Sequence, residues 1–149
     1  MAGILGLFFI LILSATPMVE LGGVSQFFNL ASLIPVMGIT IGLGLLSFGF
    51  DRYVEGFLAA MTLPFQNEDP SKEQVKLIPV LRGIRGHFYY AALITITIGL
   101  IHLATTAPQA ASLSDLGPGV GTNLLAIFYA IILDQVFARP ALHRLEVIE

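Results

Sequence analysis

Residues 120–137 read VGTNLLAIFYAIILDQVF, and Asp134 is the single charged residue in them. The hydrocarbon core of a bilayer is about 30 Å thick and takes roughly 20 apolar residues to cross as a helix, so this stretch reads as a membrane span. Three further runs have the same character. Residues 2–19 and 30–50 carry no charge, and residues 88–106 carry only His102. None of the four alternates apolar and polar residues with a period of two, which excludes a β-barrel. The whole chain agrees: of 149 residues 56% are hydrophobic and 11% charged, with a mean hydropathy of +0.86. A soluble domain carries about 25% charged residues, and a disordered chain is poor in aliphatics. The expected fold is therefore an all-α integral membrane protein with four transmembrane helices in one domain spanning residues 1–149.

Other classes are excluded on composition. A net charge of −3 with seven basic residues leaves no basic surface for nucleic acid. The absence of cysteine excludes disulfide frameworks, thiol catalysis and cysteine zinc sites. His87, His102 and His143 fall at different depths, so no shared metal site is expected. There is no phosphate-binding glycine loop, no HExxH, and no acid, base and nucleophile at one depth, so no enzyme is expected. The first run reads as a retained helix rather than a signal peptide: no Lys or Arg precedes it, and Ala15-Thr16-Pro17 is not a small-x-small cleavage site.

The basic residues orient the chain. Arg52, Lys72, Lys76, Arg82 and Arg85 lie between the second and third runs, and Arg139 and Arg144 follow the fourth. The connections after the first and third runs hold none. The positive-inside rule then places both termini, the segment 51–87 and the tail 138–149 in the cytoplasm, and 20–29 and 107–119 outside. Helix two is expected to continue through FDRYVEGFLAAM (50–61) beyond the bilayer. Pro64 and Pro70 break the polar loop that follows. Ser71 with Gln74 three residues on forms a capping-box pattern for a helix running through Arg85 into the third span.

Helices in lipid associate through small residues and interhelical hydrogen bonds. Small or polar residues at helical spacing therefore mark protein-facing stripes. The third helix shows Ala91, Thr95, Gly99 and His102; the fourth shows Gly119, Asn123, Ala126, Ala130 and Asp134. The second has Gly38 and Gly42 on one face and Thr40, Gly44 and Ser47 on another. The first offers only Gly3 and Gly6 and reads as a peripheral, lipid-facing helix. Such stripes serve close packing or line a shared surface. Asp134 is the sharpest residue, because a carboxylate at the centre of a membrane helix costs roughly 2.5–3.5 kcal/mol on insertion scales and marks a functional candidate. The open readings for it are an ion pair, proton handling, or solvation near the cytoplasmic end.

Several segments resemble one family. SLIPVMGITIGLGLLSF (32–48), IGLIHL (98–103) and GPGVGTNLLAIFYAIILDQVFARPALHRL (117–145) are similar to segments of the MotA/TolQ/ExbB proton-channel proteins, in particular a minimal MotA-like, flagellar-stator-type subunit lacking the large cytoplasmic domain. The resemblance implies a homopentamer in the bacterial inner membrane around a single-pass dimer of MotB, TolR or ExbD type that carries the ion-binding Asp. It implies helices three and four lining a channel, with Thr95, Gly99, Thr122, Asn123, Ala126 and Ala130 as candidates for the ion path. No cofactor is implied beyond the translocated ion. That ion is expected to be a proton rather than sodium, because Ala126 and Ile127 stand where the family often has threonines. Pro140 matches the family proline that ends or kinks the last helix. Asp134 stands where the family has a small or neutral residue, and an inter-subunit or gating pair with Arg139 or Arg85 of a neighbour is expected. Residues 51–87 hold no rotor-docking domain, so flagellar rotation is not expected. The alternatives are a non-conducting scaffold of the same fold and an unrelated four-helix membrane protein.

Overall fold

The computed structural model describes residues 2–20, 23, 27–66, 69–107 and 116–148. These residues form helices and turns, with no strand among them. In order the helices are α1 (Ala2–Glu20), α2 (Leu30–Phe48), α3 (Phe50–Thr62), α4 (Lys72–Val75), α5 (Ile78–Thr106), α6 (Gly117–Leu133) and α7 (Arg139–Glu146). A 3-10 turn, Leu63–Phe65, follows α3, and a π turn, Asp134–Ala138, joins α6 to α7.

Among the described residues, three helices are long and apolar enough to cross a membrane: Leu30–Phe48, Ile78–Thr106 and the continuous stretch Gly117–Glu146. The last two have 29 and 30 residues, about 44 and 45 Å at 1.5 Å per residue. Each exceeds the ~30 Å hydrocarbon core by between two and three turns. Among the described residues, helix α1 meets the 3-10 turn, and its Leu5, Phe8, Phe9 and Ile12 are exposed.

Three expectations about helix ends are corrected. Helix two does not run on past residue 48. It breaks at Gly49, whose φ of +76° and ψ of 169° suit only glycine. Beyond the break α3 runs on towards the start of α5, with Gly56 against Val80 and Leu63 in one cluster with Ile78 and Leu81, and the ring of Tyr53 lies over Gly44, where a Cβ would come within 2.0 Å of Tyr53 Cε2. Second, the segment from Ser71 is not continuous with α5. The capping box forms as the sequence suggests, with Ser71 N donating to Gln74 Oε1 at 2.8 Å and Gln74 N donating to Ser71 Oγ at 3.3 Å. The helix then stops at a turn over Lys76 and Leu77, and α5 starts afresh with Pro79 in its first turn, where a missing N–H costs nothing. Third, Pro140 does not end the last helix. Its ring would clash with the carbonyl of Val136 in a regular helix. The wide π turn just before it, closed by Arg139 N donating to Asp134 O, takes up the misfit, and the helix continues to Glu146.

The core has two characters. At one end α3, the start of α5 and α7 enclose Leu63, Ile78, Leu81, Leu142 and Leu145, a cluster of large side chains like that of a small soluble bundle. Further along, α2, α5 and α6 pack through Val36, Ala91 and Ala126, with Ala92 and Ala130 in the adjoining layer. Small residues there let backbones approach, the main source of association available in lipid. Gly44→Leu is expected to push Tyr53 out of place and cost about 1–3 kcal/mol, read as a lowered unfolding midpoint in detergent. Gly121→Leu, where a Cβ meets nothing within 4 Å, should leave the midpoint unchanged.

Candidate functional site

The site forms where α6 passes into the π turn. Asp134 begins that turn, and its side chain is fully buried. A buried carboxylate is tolerated only when paired and hydrogen-bonded, and α5 supplies the partners. Arg85 and Tyr89 are four residues apart and therefore share a face. Arg85 Nε donates to Asp134 Oδ1 at 2.7 Å and Arg85 Nη2 to Oδ2 at 3.4 Å. The Tyr89 hydroxyl donates to Oδ2 at 2.9 Å, and Gln135 Nε2 approaches the same oxygen at 3.4 Å. Arg85 is 32% exposed against 0% for Asp134, so the guanidinium reaches from the surface inward and keeps part of its hydration.

Asp134 has no exposed surface. Its pair with Arg85 forms within this chain, and Arg139 donates to Gln135 Oε1 at 3.1 Å. A second link, Arg82 Nη2 to Glu146 Oε1 at 2.7 Å, ties α5 to α7 at the surface, where such pairs contribute at most about 1 kcal/mol.

At the far end of the helices lies a polar clamp that sequence spacing does not single out. The Tyr129 hydroxyl donates to Phe27 O at 2.5 Å and accepts from Asn29 N at 2.7 Å. Ser32 Oγ donates to Thr122 O at 2.7 Å. Asn29 caps α2 by accepting from Ala31 N at 2.9 Å, and its Nδ2 lies 3.4 Å from Thr122 Oγ1. An Asn directly before an apolar run is an N-cap signal; nothing comparable points to Tyr129 as the clamp's centre.

The candidate ion-path residues divide. Gly99 and Asn123 meet across α5 and α6, and a Cβ on Gly99 would fall 1.8 Å from Asn123 Oδ1. Asn123 is buried, and its Nδ2 has no hydrogen-bond partner. Thr95 and Thr122 turn their hydroxyls to Ala91 O and Pro118 O of their own helices, both i−4 acceptors. Ala126 and Ala130 are fully buried among helices of the same chain and face no outer surface. The surfaces that α5 and α6 do present carry Leu93, Ile94, Leu124, Ile127 and Ile131. Among the described residues no group of three His, Asp or Glu is placed to hold a metal ion.

Chemically, the Asp134 carboxylate gathers the Arg85 guanidinium and the Tyr89 hydroxyl into one charge-assisted hydrogen-bond network between α5 and the π turn. Comparison of the chain with protein-family models, with curated proteins and with solved structures finds no match.

Arg85→Ala is expected to destabilise the chain by about 3 kcal/mol, because it leaves a buried carboxylate unpaired. Asp134→Leu should cost clearly less, since it removes the charge that needs a partner and leaves Arg85 able to reach water. Thermal unfolding in one detergent orders the two, and equal losses would contradict the pairing argument.

Proposed function

We propose that this chain is an ion-driven motor or channel subunit of MotA/TolQ/ExbB type, carrying protons rather than sodium. It forms a pentameric ring in the bacterial inner membrane around a single-pass dimer whose Asp binds the moving ion. In this reading α1 is a fourth span, both termini are cytoplasmic, and no cofactor or chemical reaction is involved. The observation that carries it is the pairing of two over-long helices. Helix α5 and the α6–α7 stretch are both longer than a bilayer core. The start of α5 packs with α7 and α3 in one cluster, and all seven basic residues fall in or beside this half of the chain. That is the arrangement expected of two antiparallel helices emerging into the cytoplasm together.

Two features support assembly with other chains. The α5 and α6 surfaces named above are apolar and unpartnered within the chain, and a Cβ on Gly38 or Gly42 would meet nothing within 4 Å. Small-xxx-small faces of this kind suit close helix contacts in lipid. The membrane potential supplies about 2.3 kcal/mol per charge per 100 mV, enough to shift a packed interface between two positions. The cap of α3, α4 and α7 is too small to add a rotor-docking domain, so a process other than flagellar rotation is proposed.

A specific observation favours a second reading, the non-conducting scaffold: Ala126 and Ala130 are buried, and the outward α6 face is wholly aliphatic. Native mass spectrometry from mild detergent should show five copies, with added mass from a two-copy partner. A monomer or dimer under conditions that preserve membrane complexes would overturn the ring. Proton uptake by vesicles holding ring and partner separates the two readings: Thr95→Val or Asn123→Leu should lower the flux if the chain conducts, whereas an intact ring without flux is the scaffold.

A further inference from the structure

An open pocket of about 160 Å³ lies between α1 and the bend that joins α6 to α7. Gly6 and Ile10 of α1 form one wall, Pro64 and Phe65 of the 3-10 turn another, and Val136 and Pro140 a third. The one polar residue on its lining is Gln135. The pocket is open on one side and lined almost wholly by apolar residues, a shape and polarity that suit a hydrocarbon chain.

A cation stands beside it. Arg139 adjoins Pro140 in sequence, is exposed, and donates to Gln135 Oε1 at 3.1 Å. Among the described residues it has no carboxylate within ion-pair distance. An apolar hole one hydrogen bond away from an unneutralised guanidinium has the polarity of an anionic amphiphile. The place fits as well: the cavity lies at the basic half of the chain, against the N-terminal part of an apolar helix whose large side chains are exposed.

We propose that this cavity binds the acyl chain of an anionic phospholipid, with the lipid phosphate held by Arg139. The lipid fills the gap beside the contact of α1 with the 3-10 turn, and so holds α1 in place. The proposal rests on the reading that the chain spans a membrane with this end on the inner leaflet.

The chain has no tryptophan, so Phe65→Trp places a single indole on the cavity wall. The full chain is reconstituted into phosphatidylcholine vesicles that contain acyl-brominated phosphatidylglycerol or acyl-brominated phosphatidylcholine at equal mole fraction. Brominated phosphatidylglycerol is expected to reach half-quenching at about one-fifth the mole fraction, the preference one basic residue gives for an anionic lipid. Arg139→Gln should abolish that preference. Ile10→Trp, on the opposite wall, gives the same readout if Phe65→Trp does not fold. Leu46→Trp, at a position 87% exposed, should be quenched by both lipids alike with or without Arg139. Equal quenching by the two lipids at the cavity, or a preference that survives Arg139→Gln, would overturn the site. A brominated fatty acid that quenches as well as phosphatidylglycerol would overturn the phospholipid assignment. No quenching at Leu46→Trp by either lipid would instead overturn the membrane reading itself.

Discussion

A carboxylate with no exposed surface stands where α6 leaves its regular course, and it cannot stay there charged without Arg85. That requirement fixes how α5 is turned about its own axis, because Arg85 and Tyr89 must both face Asp134. Once α5 is set, Leu81 and Ile84 point into the layers shared with α7 and α3, and Ala91 and Ala92 face α2 and α6. The outer clamp of Tyr129, Asn29 and Ser32 then fixes α2 to α6 at the other end. One buried charge and one buried hydroxyl cluster thus set the rotation of three helices whose remaining contacts are mostly smooth and apolar.

The chain solves two packing problems in two ways. Among α2, α5 and α6, small residues with a few hydrogen bonds hold the helices together, the packing that works where helix contact brings no hydrophobic gain. At the other end α3 and α7 are amphipathic and bury leucines and alanines against α5. Gly49 is the break between these two layers: its positive φ redirects the chain so that α3 packs on the start of α5 and on α7. The result is a short cap over one end of the longer helices. For an ion-driven ring this means that motion would be passed on at the level of the membrane surface.

Apolar length is local information, so the three membrane-length helices and α1 stand plainly in the sequence. So does the Ser71 capping box, whose partners are three residues apart. The break at Gly49 does not, because it depends on Tyr53 settling on Gly44, a contact made only after the chain has turned. The small-residue stripes show that Ala126 and Ala130 share a face but not which neighbour the face meets; that neighbour proves to be within the same chain. Asp134 was legible as a charge in need of a partner. Its partner within the chain, Arg85, lies 49 residues away, and finding it takes the fold. Pro140 announces a disturbed helix, while the π turn that absorbs it depends on the packing around it.

The central claim is that α5 closes against α6 and α7 within one chain. It is tested most directly on the cysteine-free background by Arg82→Cys with Glu146→Cys, two exposed positions on that seam whose replacement leaves the Asp134–Arg85 pair in place. After treatment with a short bis-maleimide in the membrane, the account predicts a product with the mass of a single cross-linked chain. Covalent dimers and higher multiples as the main products would place the seam between subunits and contradict it.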